Sequence, residues 1–251
     1  MPAGNDIAGR VRFLGAPYDL RPIEQVLCSL QGAKPDDWFR YVVTPNVDHV
    51  TRLRHRKDLL PLYENAWQSW CDSHIVRRLG FLVGLRLPHL NGTDVVERIF
   101  AEVLRPGDRL AVIAARPQVL EALAWKYPQY QFVGHVPPMG FVDDPEAFEA
   151  CVTFGATCNA RFLFIAVGAP QSEQVAYAIA RRPSAQGTAF CIGAAMEFMG
   201  GVKARAPRLM QRLGFEWLHR LLSEPRRLWR RYVMSVGPLA MLFAREVVRW
   251  R

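Results

Sequence analysis

Residues 161–173 read RFLFIAVGAPQSE, and this stretch decides the fold. Phe162–Val167 is a continuous apolar run with no in-out alternation. Such a run is expected of a strand buried on both faces of a parallel sheet. Gly168 and Pro170 then stop it, and a helical pattern opens over Ser172–Arg181. The same order of apolar run, turn and helix recurs on both sides. The strands expected are Tyr41–Val43, Arg109–Ala114, Gln131–Gly134, Arg161–Val167 and Thr188–Ile192. The helices expected are His49–Arg56, Asp58–Trp70, Thr93–Leu104, Pro117–Tyr127, Pro145–Val152 and Ser172–Arg181. Pro117 and Pro145 suit a first helical turn, where a missing N–H costs little. Alternating elements of this kind predict an α/β domain, a Rossmann-like doubly wound and mostly parallel sheet, over residues 1–200. Ligands of such sheets sit beyond the carboxyl ends of the strands, so the residues that follow each strand are the candidates for a site.

The pattern changes after Gly200-Gly201. Residues 201–251 hold one Lys and eleven Arg against three Glu, which is the whole net charge of +9; residues 1–200 balance. Three of the seven tryptophans, Trp217, Trp229 and Trp250, lie in the same segment. Apolar positions Leu209, Met210, Leu213, Trp217, Leu221 and Leu222 follow helical spacing. A second helix is expected from Pro225, and Tyr232–Ala244 carries no charge but is broken by Gly237-Pro238. That run is too short to span a bilayer core of about 30 Å. It suits an element lying in the membrane interface, with Arg and Trp at headgroup level; an ordinary packing helix pair with a solvated Arg face fits the composition equally. Cationic, Trp-rich segments meet anionic membranes, nucleic acids or phosphorylated substrates. The neutral body and the apolar run speak against nucleic acid.

The first residues, MPAGNDIAGRVRFLG, have no apolar core of a secretory signal, and no stretch reaches about 18 uncharged apolar residues. The five cysteines are odd in number and form no CxxC pair, so neither a disulfide framework nor a zinc site is expected. A reducing cytosol is the simplest compartment. No metal cluster follows a strand; Asp36-Asp37 and Asp143-Asp144 read as loop or helix-cap acids, and no metal or other cofactor is expected.

Four segments could carry chemistry. Thr44-Pro45-Asn46-Val47-Asp48-His49 follows the first expected strand. Its hydroxyl, amide, carboxylate and imidazole suit sugar hydroxyls, while Asn46 or Asp48 could equally cap a helix. Asp72, in Trp70-Cys71-Asp72-Ser73, has apolar neighbours. Partial burial would raise its pKa and suit a general base, and a helix cap before Ile75 is the plainer alternative. Gly168-Ala169-Pro170-Gln171-Ser172-Glu173 turns into a helix whose free N–H groups could face a phosphate, although it is neither a P-loop nor a GxGxxG fingerprint. Gly193–Gly201 leads into Lys203 and Arg205, which could face phosphates or mark a hinge.

Together these segments resemble the bacterial WecG/TagA/CpsF glycosyltransferases, from about Tyr41 to Tyr232. The motifs come in the family's order: Thr44-Pro45-Asn46 with Asp48, Asp72, Gly92-Thr93-Asp94, Gly168-Ala169-Pro170 with Glu173, Arg205-Ala206-Pro207, Gly214-Phe215-Glu216-Trp217, and Glu224-Pro225-Arg226-Arg227. The resemblance implies inverting, metal-independent transfer of a sugar from a UDP-sugar to a polyprenyl-diphosphate-linked sugar in cell-surface polysaccharide biosynthesis. It implies a peripheral enzyme on the cytoplasmic face of the bacterial inner membrane, with residues 201–251 as an appendage that binds membrane and completes the site. By the same resemblance Asp72 is the base, Thr44, Asn46 and Asp48 contact sugar, and Arg220, Arg227 and Arg230 lie over the pyrophosphate. His89, Asp94, Gly168, Gln171, Glu173 and Glu197 stand at further motif positions.

The chain also departs from the family. Ser73 replaces a glycine after Asp72, Gln171-Ser172 replaces a cation and an amide, Glu197 an aspartate, His89 an arginine, and Ala114-Ala115 a glycine pair. These changes point toward a divergent, GumM-like exopolysaccharide branch. The other readings are a membrane-tethered nucleotide-sugar-binding protein without activity, and a nucleic-acid-binding protein.

Overall fold

A computed structural model describes residues 9–207, 209–210, 216–223 and 225–249. Within the last two segments the side chains at 216, 217, 220, 227, 228 and 230–232 lie outside that description.

The chain opens with an antiparallel hairpin, β1 (Arg10–Phe13) and β2 (Ala16–Asp19). The remaining six strands form one all-parallel sheet in the order β4-β3-β8-β7-β5-β6. They are β3 (Arg40–Val43), β4 (Gln68–Ser69), β5 (Arg109–Ala114), β6 (Gln131–His135), β7 (Phe162–Ala166) and β8 (Thr188–Cys191). Both faces are covered. Helices α2 (Val47–His55), α3 (Leu60–Glu64), α7 (Pro145–Thr157) and α8 (Gln171–Ala180) pack on one face, and α1 (Ile23–Gln31), α5 (Gly92–Arg98), α6 (Pro117–Lys126) and α9 (Ala195–Gly200) on the other. Helix α4 (His74–Leu82) follows β4 and sends Val76 into the first layer.

Strand period explains the layers. Ala111 and Ile113 face the first core, while Leu110, Val112 and Ala114 face the second. Every residue of β7 is buried, as its unbroken apolar run requires. Phe164 stacks on Phe190 at 5.5 Å between ring centres, and each buried ring contributes about 1.5–3 kcal/mol. Gly187 has φ +89°, and a Cβ there would stand 2.6 Å from the Ala160 carbonyl, so only glycine fits at the entry to β8.

The expected α/β class and five strands are present, and two expectations need correction. Asp58–Trp70 is not one helix. Helix α3 stops at Glu64, and the edge of β3 takes over the backbone: Trp67 N–H donates to Tyr41 O at 2.9 Å and Trp70 N–H to Val43 O at 2.9 Å. Gln68 and Ser69 are therefore a buried strand. Gly237-Pro238 does not break the last helix, which runs from Pro225 to Arg249 as α11, after α10 (Glu216–Ser223). Beyond Pro238, buried Leu242 and half-buried Leu239 and Phe243 seat it on the first core, and this packing outweighs the missing backbone donor.

Residues 10–40 also have a clear role. Arg10 pairs with Asp19 at 2.8 Å and donates to the carbonyls of Glu64, Ala66 and Trp67, while Asp19 accepts from Ser69 N–H at 2.6 Å. This rivets the hairpin to β4. The hairpin turn holds Leu14 at φ +51°, a conformation unfavourable for a side-chain-bearing residue. Leu14 is fully buried, and its N–H donates to Glu246 of α11 at 3.0 Å. The two ends of the chain are thus latched together. No helix among the described residues is long and apolar enough to cross a membrane.

Candidate active site

A parallel sheet puts all its carboxyl ends on one edge. The neighbours β4, β3, β8 and β7 lie about 4.8 Å apart, so their last residues span about 15 Å. Four of the expected segments follow these strands. A fifth, Asn91–Asp94, joins them: Gly92 opens α5 against the backbone of Ile192, just beyond β8.

After β3, Thr44 is buried and its Oγ1 donates to Cys191 O at 3.1 Å, tying β3 to β8. Asn46 caps α2, its Oδ1 accepting from Asp48 N–H at 3.0 Å. Half-buried Asp48 also lies 3.8 Å from Arg52. Buried His49 reaches back, with Nδ1 3.1 Å from Asn46 N and 2.8 Å from Asn46 Oδ1. Its Nε2 stands 3.3 Å from Glu173 Oε1 in the first turn of α8. A neutral ring accepts from Asn46 N–H and gives its Nε2 proton to the carboxylate; a protonated ring donates from both nitrogens. Either way Asn46, His49 and Glu173 form one polar line beneath the edge. Glu173 Oε2 and Ser172 Oγ are buried with no hydrogen-bond partner. Buried polar atoms in that condition are uncommon and costly unless something else meets them.

After β4 comes Asp72, half-buried, with its N–H donating to Pro45 O at 3.3 Å. The helix cap is Ser73, whose Oγ accepts from Val76 N–H at 3.2 Å. The capping alternative for Asp72 thus falls to its neighbour. Cys71 pairs its backbone with His89 in a parallel bridge, which sets His89 beside this turn. His89 stacks on His74 at 3.8 Å between ring centres. Burial pushes the His89 pKa down to about 4, helped by His74 and Arg77 and opposed by Asp94. His74 is lowered as well, by burial and then by Arg77 and Arg78. Both rings are neutral near pH 7, so they offer hydrogen bonds rather than charge. Burial, with Asp72 adding to it, pushes the Cys71 thiol up to about 12, and it stays protonated.

On the far side Asp94 and Glu97 of α5 both pair with Arg205, the latter at 3.0 Å, and Glu197 of α9 pairs with Lys203 at 2.8 Å. The two cations expected to face phosphates are engaged by acids in this structure. Segment 203–205 is thereby fastened across α5 and α9. Gly168 turns with φ +88°, and α8 begins at Gln171 with no side-chain cap on its first turn. The side chains of Arg220, Arg227 and Arg230 lie outside the described residues. Among the described residues no three His, Cys, Asp or Glu side chains converge as metal ligands.

Sequence reasoning placed the His49 imidazole among groups suited to sugar hydroxyls but not in contact with Glu173, and it assigned no role to His74 or Ser172. His74 could have been found two places after Asp72. The His49–Glu173 contact carries no local signal, because it joins α2 to α8.

The comparison with known proteins agrees with this geometry. The chain matches the description Glycosyl transferase WecG/TagA/CpsF family over residues 11–251, nearly its whole length. The fold, the carboxyl-edge cluster and that match lead to one conclusion: the chain belongs to the WecG/TagA/CpsF glycosyltransferase family and is a glycosyltransferase.

Proposed function

We propose that this enzyme moves a hexose or N-acetylhexosamine-type sugar from a UDP-sugar to a polyprenyl-diphosphate-linked sugar, with inversion and without a metal. A nucleotide-sugar donor and a lipid-linked acceptor are the general substrate classes of the family. The observation that carries the reading is the placement of Asp72. It lies half-buried past β4, next to the Asn46–Asp48 segment of β3, and the helix cap is left to Ser73.

The acceptor hydroxyl would attack the anomeric carbon from the face opposite UDP. Asp72 takes the hydroxyl proton as the new C–O bond forms. The old bond breaks, and UDP leaves with its electron pair. Asn46, Asp48 and His89 would position sugar hydroxyls. New negative charge on the leaving diphosphate would meet the amides of the Gly168–Gln171 turn and Arg220, Arg227 and Arg230, where fixed positive groups lower the barrier most. Asp94 and Glu197 would act indirectly, through the cations they hold. Glu173 would hold His49, and through it Asn46.

Residues 201–251 would serve as the membrane-facing appendage. Trp229, Val233, Met234 and Val236 on α11 are more than half exposed, a row that suits a bilayer interface at the cytoplasmic face.

The test is UDP release from a panel of UDP-sugars, with and without vesicles carrying a polyprenyl-diphosphate sugar. Acceptor-dependent release from one donor is expected. UDP binding with no release from any donor and any acceptor would refute the reading.

A further inference from the structure

The net charge of the sequence directs attention to its last fifth, yet a second cationic surface lies beside the candidate site. Between Asp72 and Asp94 there is no acidic residue, while Arg77, Arg78 and Arg86 are all present. All three are exposed. Apolar side chains lie among them: on α4, Phe81 is 68% and Leu82 70% exposed. Helical spacing puts Arg77 next to Phe81 and Arg78 next to Leu82. Behind them, buried Leu85 and Leu87 floor a concavity of ≈ 680 Å³ that the three arginines help to line. The face of α4 opposite this surface is spent on the core through Val76 and Gly80.

We infer that the outer face of α4 and the loop to Arg86 form a docking surface for an anionic phospholipid bilayer. Arginine heads at headgroup level with Phe and Leu beside them match the charge and polarity profile of such an interface. The absence of any carboxylate over this stretch means nothing in it repels acidic lipid. The apolar tip has no counterpart in a nucleic-acid backbone. Position adds a purpose, which rests on the reading of a lipid-borne acceptor. Asp72 lies at the amino end of α4 and Phe81 nine residues on, a rise of about 13 Å along the helix. A bilayer touching Phe81 would hold a lipid-linked sugar within reach of Asp72. The surface is separate from α11, so the enzyme would meet the membrane at two places.

An environment-sensitive nitrobenzoxadiazole probe tests this on the full-length chain. Cys28 is the exposed cysteine and the other four are buried, so the probe goes on Phe81→Cys in a Cys28→Ser background. The native chain labelled at Cys28 on α1 is the control. Vesicles of phosphatidylcholine with about 30% phosphatidylglycerol should raise emission several-fold at position 81 and leave position 28 unchanged. Pure phosphatidylcholine and inorganic diphosphate should raise emission at neither position. Arg77→Ala/Arg86→Ala should weaken vesicle affinity roughly 25-fold, about fivefold per cation.

No change at position 81 while the chain sediments with acidic vesicles would overturn the inference, as would failure to sediment at all. A response to inorganic diphosphate alone would replace it with a small-anion site. UDP release with a water-soluble, short-chain acceptor keeps the two readings apart. Phe81→Asp/Leu82→Asp should retain that activity and lose turnover on vesicle-borne acceptor. Absence of soluble-acceptor activity in the native enzyme would count against the transferase reading and leave the vesicle result standing.

Discussion

The two edges of the central sheet use their polar residues differently. At the amino edge, buried Arg161 donates to the carbonyls of Leu30, Gln31 and Ala33 at the end of α1, to Val103, and to the Asp108 carboxylate at 2.8 Å. Arg109 donates to Cys158 O, and Arg40 to Thr188 Oγ1 while stacking 3.8 Å over Trp67. These cations fasten helix ends and loops to the sheet, where a positive group also suits a helix carboxyl terminus. At the carboxyl edge the polar groups are more than the fold needs. Ser172 Oγ and Glu173 Oε2 are buried with no partner, and two histidines are stacked neutral. Buried polar atoms left without a partner set this edge apart from the other, and it is the edge on which the proposed ligand site lies.

The sharpest way to break this contrast is one substitution on each edge. Asp72→Asn should lower turnover about 10²–10⁴-fold, the usual cost of losing a general base, with the melting temperature unchanged. Retained turnover would remove Asp72 from the mechanism. Arg161→Met should do the reverse. It leaves Asp108 and several carbonyls without their partner and should cost about 3–5 kcal/mol in denaturant unfolding, while the fraction that stays folded keeps its KM. A loss of turnover without a loss of stability would dissolve the contrast.

The histidine pair sharpens it through pH. The folded-state pKa of His89, about 4, lies below its ordinary value of 6.5. The unfolded chain therefore takes up a proton first as pH falls. Stability should be undiminished above pH 6.5 and decline between 6.5 and 4, by at most about 3 kcal/mol for this ring. His89→Gln should flatten that part of the stability profile; an unchanged profile would mean the ring is not buried as described. The smallest effect expected concerns the latch between the chain ends. Glu246→Ala strands the Leu14 N–H and should cost about 1–2 kcal/mol by chemical unfolding, without altering KM.

How much of this was legible in the sequence depended on whether the signal was local. Buried parallel strands are apolar runs, so β5, β7 and β8 stand out on their own. β4 does not: Gln68 and Ser69 are polar, and their burial is met by distant or non-periodic partners, Ser69 bonding Asp19 and the Pro17 carbonyl of the hairpin and Gln68 Oε1 accepting from Trp70 Nε1. The hairpin itself was hidden, since Leu14 at positive φ is not a turn residue by composition. Asn46 and Asp48 could be placed after a strand because a proline follows an apolar run, whereas Asp72 stood out only by its apolar neighbours and its motif, since the strand before it was not foreseen. The His49–Glu173 line and the ion pairs of Arg205 join elements far apart in the chain, and no periodicity announces them. The charge balance of whole segments also hid the cationic face of α4, because residues 1–200 sum to zero while residues 73–93 hold three arginines and no acid.

The most direct test of the account is amide hydrogen exchange of the full-length enzyme with and without UDP. The account predicts slowed exchange at residues 44–49, 168–173 and 193–197 on the carboxyl edge, with residues 31–34, 103–108 and 159–161 on the amino edge unchanged. Protection at the amino edge, or at neither edge under saturating UDP, would contradict it.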